Sequence, residues 1–219
     1  MHKTVQNLIE IENQIKSKFA DLKNIRLPKI IAVSKTFQIK DIEPLIEYGH
    51  TDFGENKVQE AVDKWTDIKQ NNPNIKLHMI GRLQSNKVKY AVKLFDYIHS
   101  VDSTKVAKKI HEEQNKINRK IKIFIQVNIG NENQKSGINK NELKDLIDYS
   151  KDLGLDVVGL MCIPPLNDDS ENYFKDMSEL NYSNNFSDLS MGMSSDYIKA
   201  CNYNATFLRL GSIIFGPRS

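Results

Sequence analysis

The sequence predicts an α/β protein: a single (β/α)8 barrel (TIM barrel) with an extra N-terminal helix, formed by residues 1–219 as one domain. Short apolar, β-branched runs alternate with segments of helical periodicity, which implies parallel strands joined by helical crossovers. Eight strand-like runs occur, and 219 residues exceed the lower limit of about 200 for such a barrel. A doubly wound open sheet is the competing architecture, because periodicity alone does not separate the two.

The chain begins with an amphipathic segment that predicts a helix over residues 4–24. Its apolar side chains recur at spacings of three and four and share one face: Leu8, Ile11, Ile15, Phe19 and Leu22. Pro28 ends this region, and the β-branched run Ile30–Val33 predicts the first strand, followed by polar residues 34–36.

The remaining elements follow in alternation. Strands are expected at residues 52–56, 76–81, 97–102, 122–129, 155–163, 188–192 and 206–215. Helices are expected at residues 39–49, 57–70, 84–94, 103–118 and 139–151, with a short helical segment at 195–202. The polar residues 181–187 predict a loop, because too little chain follows them to form a second core.

Composition indicates an ordinary folded protein, with 39% hydrophobic and 27% charged residues. The 31 basic and 28 acidic residues are interspersed, so no nucleic-acid partner is indicated. No apolar run approaches the roughly 18 residues of a membrane helix, and the charged N-terminus does not resemble a signal peptide. Cys162 and Cys201 fit small core residues in a reducing compartment. We therefore expect a cytoplasmic protein with no membrane partner.

Candidate functional residues lie where the strands end, because ligands bind there in both architectures. Alternation places Lys35 on the same strand face as Ile31 and Val33, at the mouth of a barrel. A lysine that is partly desolvated in such a place can form a Schiff base with an aldehyde. A solvated lysine at a strand end is the alternative.

Two further strand ends carry polar side chains. Asn56 either caps the helix that follows it, which the sequence favours, or presents its amide to a planar ligand. His78 fits a hydrogen-bonded histidine inside the barrel. Because no second ligand stands at a suitable spacing from it, no metal site is predicted.

The last two strands end in small and polar residues, at Ser190–Ser195 and at Gly211 and Ser212. Barrels often bind phosphate with the loops after strands seven and eight and a nearby helix N-terminus. Ordinary turn glycines and cap serines are the alternative reading. Arg209 should point inward beside these loops, either paired with a carboxylate or donating to a ring nitrogen. Together with Lys35, these residues describe a site for pyridoxal 5′-phosphate (PLP).

The sequence also resembles the pyridoxal phosphate homeostasis protein family, which shares the N-terminal barrel of alanine racemase. The resemblance spans almost the whole chain. It rests on the motifs AVSKT (Ala32–Thr36), FGENKVQE (Phe53–Glu60), HMIGRLQSNK (His78–Lys87), HSVDS (His99–Ser103), GLMCIPP (Gly159–Pro165), LSMGMSSDY (Leu189–Tyr197) and RLGSIIFGPR (Arg209–Arg218).

The resemblance implies a role for each candidate residue. Lys35 would hold PLP as an internal aldimine, and Asn56 would lie close to the cofactor. Ser190, Gly211 and Ser212 would hold the phosphate. Arg209 would face the pyridine nitrogen and keep it unprotonated, which weakens the ring as an electron sink.

The resemblance further implies a non-enzymatic protein that acts in intracellular PLP (vitamin B6) and amino-acid homeostasis. It would hold or deliver the cofactor, with apo PLP enzymes and free amino acids as partners, and we expect a monomer. A low-activity PLP-dependent amino-acid racemase is the alternative, although the resemblance to alanine racemase covers only its barrel. We therefore expect no second domain to supply the opposite acid/base, as one does in alanine racemase. A sugar-phosphate isomerase is a third reading.

Two regions fit the resemblance less well. The segment Asp168–Asp188 looks shortened relative to many relatives, so a brief crossover helix is expected there. Lys135 and Gly137 match a family loop after the fifth strand, for which the sequence indicates no mechanism.

Overall fold

The structure, a computed structural model, describes residues 1–20, 26–132, 134, 136–166 and 168–217. Eight parallel strands form a closed barrel in chain order. They are β1 (Lys29–Val33), β2 (Asp52–Glu55), β3 (Lys76–Met79), β4 (Tyr97–Val101), β5 (Lys122–Val127), β6 (Asp156–Cys162), β7 (Asp188–Met193) and β8 (Phe207–Leu210). The barrel closes where β1 pairs with β8, with Ile31 opposite Arg209. The (β/α)8 prediction is confirmed, and the open sheet is wrong.

Helices surround the barrel. They are α1 (Lys3–Lys18), α2 (Ile39–Glu47), α3 (Val58–Asn71), α4 (Val88–Leu94), α5 (Thr104–Lys116), α6 (Leu143–Asp152), α7 (Ser170–Ser183), α8 (Tyr197–Cys201) and α9 (Ser212–Phe215). Short 3-10 turns at Ser85–Lys87 and Lys140–Glu142 precede α4 and α6. Among the helices described, none combines the length and the apolar character needed to cross a bilayer.

The extra N-terminal helix is present, but it ends earlier than the prediction of residues 4–24. α1 begins at Lys3, where the His2 ring accepts a hydrogen bond from the Thr4 N–H, and it ends at Lys18. Its apolar face packs against α2 and α9, and Asn7 donates to the Ile214 carbonyl of α9 at 2.8 Å. Leu22 and the rest of the predicted helix beyond residue 20 lie outside the described residues.

The eighth strand is present as predicted, but it does not extend to residue 215. The eighth strand stops at Leu210, because the Gly211 carbonyl then accepts the N–H groups of Ile214 and Phe215 and starts α9. The β-branched residues of that helix had suggested a continuing strand, but the apolar residue Ile214 is fully buried as part of a helix.

The crossover between β6 and β7 is not brief, because α7 has 14 residues. Its Asp169 side chain caps the first turn by accepting from the Glu171 N–H. Asn181, predicted to lie in a loop, belongs to α7 and is 7% exposed. Its side-chain carbonyl accepts the Leu160 N–H of β6 at 3.1 Å. At this buried position of α7, an amide that is hydrogen-bonded to the sheet stands where a helical pattern normally has an apolar side chain.

Two apolar clusters form the core. The larger one lies between the outer face of the strands and the helices, and Phe53, Trp65 and Phe174 are among its fully buried members. A smaller cluster belongs to the inner faces of the strands: Ile31, Tyr97, Phe124, Met161 and Phe207. These side chains close the barrel beneath its mouth, so the interior is a packed core rather than a channel.

Gly159 permits the pairing of β6 with β7, in which it lies opposite Asp188. A Cβ atom at this position would stand 1.7 Å from the Asp188 carbonyl oxygen. That separation is far below any contact distance, so only glycine allows this approach of the two strands.

Candidate functional site

A cavity of about 530 Å³ opens at the C-terminal ends of the strands. Its lining residues are Val33, Lys35, Phe37, Asn56, Ile80, Ile163, Met193, Ser194, Ser195, Arg209, Gly211, Ser212 and Gly216. Five of the six residues predicted for the site therefore meet here, and only Ser190 does not. Among the described residues, the lining includes two cationic side chains and no carboxylate, histidine, cysteine or tyrosine.

Lys35 follows β1 in a turn whose backbone is held from both sides. Ser34 is fully buried, and its hydroxyl donates to Glu55 at 2.8 Å. Thr36 has a φ of +68°, in the left-handed region that β-branched residues rarely adopt. Its N–H donates to the Glu60 carboxylate. Strain of this kind costs about 1–3 kcal/mol and persists only where the surroundings impose it, so these contacts hold the backbone on both sides of Lys35.

A buried ion pair supports this turn from below. The Lys64 Nζ donates to Glu55 at 2.9 Å, to Glu60 at 3.0 Å and to the Ser34 carbonyl at 2.9 Å. Glu55 is fully buried and also accepts the Trp65 indole N–H at 2.9 Å. The sequence patterns did not predict this support. The signal that could have found it is Glu55 itself, an acidic residue that ends an otherwise buried strand.

Asn56 lines the cavity and does not cap the following helix. The N-cap position of α3 is Lys57, so the capping that the sequence favoured for Asn56 is wrong. The backbone of Asn56 lies against Gly81, where a Cβ atom would stand 2.3 Å from the Asn56 carbonyl oxygen. The close contact holds the end of β2 against the residues that follow β3.

One end of the cavity is formed by small residues with hydroxyl groups. Gly211 and Ser212 lie there as predicted, and Ser194 and Ser195 lie beside them. The Ser194 hydroxyl accepts the N–H groups of Gly211 and Ile213 at 3.3 and 3.4 Å. The loop after β7 is thereby tied to the residues after β8. Ser194 and Ser195 belong to the polar segment expected after the seventh strand but were not among the predicted site residues.

Arg209 lies at the cavity wall and is 5% exposed. Its guanidinium donates to the Ser190 hydroxyl at 2.7 Å and to the Cys162 carbonyl at 2.8 Å. Burial lowers the pKa of this guanidinium. Within the described ranges no carboxylate lies within ion-pair distance of Arg209, so the structural ion pair that the sequence allowed is not formed there. A buried cation without a carboxylate is costly, and an anionic ligand in the cavity would offset that cost.

Ser190 lies beneath the cavity rather than at its surface. It is fully buried, and its hydroxyl is shared between Arg209 and the His99 Nδ1 atom, 2.8 Å away. The contact continues through the barrel interior, with His99 Nε2 2.9 Å from His78 Nδ1 and His78 Nε2 3.1 Å from Asp52 Oδ1. We name this connected set the polar chain: Asp52, His78, His99, Ser190 and Arg209.

The histidines of the polar chain are fully buried among aromatic rings. His78 stacks on Tyr97 at 4.5 Å and His99 stacks on Phe124 at 4.3 Å between ring centroids. Burial lowers the pKa of His78, against the raising effect of Asp52, and it lowers the pKa of His99 well below the ordinary value. Both imidazoles are therefore neutral at pH 7. The prediction that His78 is a hydrogen-bonded histidine inside the barrel is confirmed.

The two cysteines are buried thiols. Burial raises the pKa of Cys162 to about 12 and that of Cys201 to about 11, so neither is a nucleophile at neutral pH. No cluster of three or more histidine, cysteine or acidic side chains able to hold a metal ion occurs among the residues placed by the structure. Lys135 lies outside the described residues.

Residues 12–219 match the family model for the N-terminal domain of alanine racemase. Fold and site thus define the class, a barrel of the alanine racemase N-terminal type. A pyridoxal phosphate homeostasis protein of Pasteurella multocida is 35% identical over 225 residues, which covers 97% of both chains. One from Synechocystis is 38% identical over 200 residues, covering 87% of this chain and 91% of that protein. The chain belongs to the pyridoxal phosphate homeostasis protein family.

Solved structures agree with this assignment. PipY of Synechococcus elongatus has been solved without PLP (TM-score 0.87, 30% identity) and with PLP bound (TM-score 0.86, 29% identity). The two matches cover 98% and 97% of this chain and all of PipY. Alanine racemase of Clostridium difficile has a TM-score of 0.75 at 17% identity and shares the fold. The match covers 99% of this chain but 57% of that enzyme.

Proposed function

We propose that this protein binds PLP and acts in intracellular vitamin B6 and amino-acid homeostasis by holding and delivering the cofactor. The observation that carries the proposal is the cavity in which Lys35 and the buried Arg209 face the same space, beside a hydroxyl-lined end. The volume of about 530 Å³ lies within the range usual for small-ligand sites. The homeostasis proteins of the family and the PLP-bound structure of PipY support the choice of ligand.

The cavity offers a different contact for each part of PLP. The hydroxyl groups come from Ser194 and Ser212, and Gly211 has a backbone that an anion can approach closely. We therefore assign the phosphate to these three residues. Ser190 was expected to share this role, but its hydroxyl already serves Arg209 and His99, and we assign it to the support of Arg209. Val33, Ile80 and Ile163 provide apolar contacts for the ring.

Lys35 and Arg209 contact the reactive parts of the cofactor in this proposal. Lys35 would hold PLP through its amine, because the aldehyde of PLP can condense with a primary amine with release of water. Two of the five guanidinium N–H groups of Arg209 are used below the cavity, and the others remain to face the ring nitrogen. Asn56 borders the cavity beside the ring.

A holding role fits this lining better than catalysis. A racemase needs an acid/base on each face of its substrate, and the lining residues offer one amine, Lys35. As partners we propose apo PLP enzymes, which would receive the cofactor, and free amino acids. The proposed oligomeric state is a monomer. A racemase would exchange the α-hydrogen of amino acids with deuterated solvent faster than PLP alone does, whereas we expect no such exchange.

Binding can be tested by colour and by mass. The purified protein with added PLP should be yellow, and borohydride reduction should attach a pyridoxyl group to Lys35. The variant Lys35→Ala should lose both signals, while Lys40→Ala, at an exposed position in α2, should retain them. A colourless wild-type protein, or a label distributed over surface lysines, would refute the proposal. Delivery predicts faster activation of an apo PLP enzyme by the loaded protein than release into buffer allows.

A further inference from the structure

The polar chain is an unusual content for a barrel interior. Branched apolar side chains normally fill this space, and a buried polar group is costly unless it is hydrogen-bonded. Here a carboxylate, two imidazoles and a hydroxyl connect five strands, from Asp52 at the start of β2 to Arg209 in β8. Each member has a partner on either side, so the fold retains an expensive but fully connected network.

The hydrogen atoms along the polar chain can be assigned from its two ends. The Arg209 guanidinium can only donate, so Ser190 accepts from it and gives its own hydrogen to His99 Nδ1. A neutral His99 then carries its hydrogen on Nε2 and donates to His78.

His78, also neutral, donates from Nε2 to the Asp52 carboxylate. The reverse assignment would need a protonated His78 and would leave the Ser190 hydrogen without an acceptor within the chain. Every hydrogen bond therefore points from Arg209 towards Asp52.

Asp52 is the anionic terminus of this directed chain. Burial alone would raise the pKa of Asp52, but the hydrogen bonds that its carboxylate accepts from His78 and Thr51 oppose burial, and the pKa lies below its ordinary value. Lys29 adds to the lowering. Hydrogen bonds that point the same way polarise one another. The carboxylate thus makes the Ser190 oxygen a stronger acceptor for the guanidinium, although Asp52 does not line the cavity.

We infer that the polar chain positions the Arg209 guanidinium against the cofactor ring, with Asp52, His78, His99 and Ser190 as positioning residues that do not touch the cofactor. This inference rests on the proposed function for the identity of the ligand. The additional point is that the barrel interior holds one hydrogen-bond donor, the Arg209 guanidinium, at the ring nitrogen. The orientation of Arg209, and with it the electronic state of the ring, then depends on a carboxylate at the opposite end of the barrel.

Ser190→Ala is the direct test, and Ser100→Ala is its matched control. Ser100 is also buried and is adjacent to His99 in β4, but its hydroxyl has no hydrogen-bond partner among the residues that the structure describes. Ser190→Ala should weaken PLP binding about tenfold or more and shift the absorption maximum of the bound cofactor, because a hydrogen bond to a charged group is lost. Ser100→Ala should leave the affinity within about twofold.

Two measurements separate a directed chain from a simple contact. Asp52→Asn should shift the absorption maximum in the same direction as Ser190→Ala, and by less, because it removes the charge and keeps an acceptor. In the PLP-free protein, ¹⁵N NMR should show neutral imidazoles at His78 and His99 with the hydrogen on Nε2. The inference is overturned if Asp52→Asn behaves as Ser100→Ala does, or if either ring carries its hydrogen on Nδ1.

The NMR result does not depend on PLP. A wild-type protein that fails to bind PLP but shows these tautomers would refute the proposed function and retain the directed chain. If the wild-type protein binds PLP and Ser190→Ala leaves the affinity and the spectrum unchanged, the proposed function is retained and the positioning role of the polar chain is refuted. If Ser190→Ala does not fold, Asp52→Asn and the wild-type tautomers still decide the outcome.

Discussion

The variant Lys64→Met should destabilise the protein strongly, because it leaves a carboxylate buried without its cation. Lys64 has a side-chain exposure of 10% and Glu55 of 0%, and their charged atoms are 2.9 Å apart. After the substitution Glu55 keeps the hydrogen bonds from Ser34 and Trp65 but has no positive partner among those contacts. Methionine matches the length of the lysine stem, so the loss is one of charge rather than of volume.

The expected loss of stability can be worked from the burial of the pair. Breaking a buried ion pair by removing one partner costs about 3–5 kcal/mol, and exposures of 10% and 0% leave little solvent to screen the remaining charge. A chain of 219 residues loses about 2–4 °C in Tm per kcal/mol. Lys64→Met should therefore lower Tm by about 6–20 °C.

Thermal unfolding followed by circular dichroism measures this effect. The control Lys144→Met removes an exposed pair, whose side chains are 70% and 52% exposed, and should change Tm by no more than about 2 °C. The double variant with Glu55→Gln should recover about 2 kcal/mol or more, because the uncompensated charge is gone. A Tm change like that of the control, or strictly additive effects, would refute the reasoning. The single variant should also bind PLP more weakly, because the ion pair supports the turn that carries Lys35.

Further predictions concern pH, backbone packing and thiol chemistry. Burial lowers the pKa values of His78 and His99, so below about pH 6.5 these histidines take up protons in the unfolded chain but not in the folded one. The protein therefore has its full stability above that pH. Below it, each histidine lowers the free energy of unfolding by up to about 1.4 kcal/mol per pH unit. The urea midpoint of the PLP-free protein should fall from pH 7.5 to 5.5, and a constant midpoint would contradict the neutral assignment. Gly159→Ala should give insoluble or grossly destabilised protein, because its Cβ would stand 1.7 Å from a carbonyl oxygen; a Tm near that of the wild type would disprove the close approach. Cys162 and Cys201 should resist a thiol reagent at pH 8 until denaturant is added, and rapid labelling of the native protein would contradict their raised pKa values.

Local signals were sufficient for most of the fold. Alternating apolar runs and amphipathic segments predicted eight strands and the crossovers between them, because burial on one side imposes a period on the chain. The same rule failed where a polar side chain replaced an apolar one at the core, as Asn181 does in α7. It also failed where β-branched residues entered a short helix, as in α9 after Leu210.

By itself, the sequence determined the order of strands and helices, and it identified Lys35, Asn56, Arg209, Gly211 and Ser212 as residues at strand ends. The order of the elements and the strand ends follow from local patterns of apolar and polar residues, because neighbouring residues decide whether a segment forms a helix or a strand. Only the tertiary structure decided that Ser190 lies buried beneath the cavity, because its hydroxyl contacts His99 of β4 and Arg209 of β8. The same holds for the ion pair below Lys35 and for the polar chain. Their members are distant in sequence, and barrel closure alone brings them into hydrogen-bond distance.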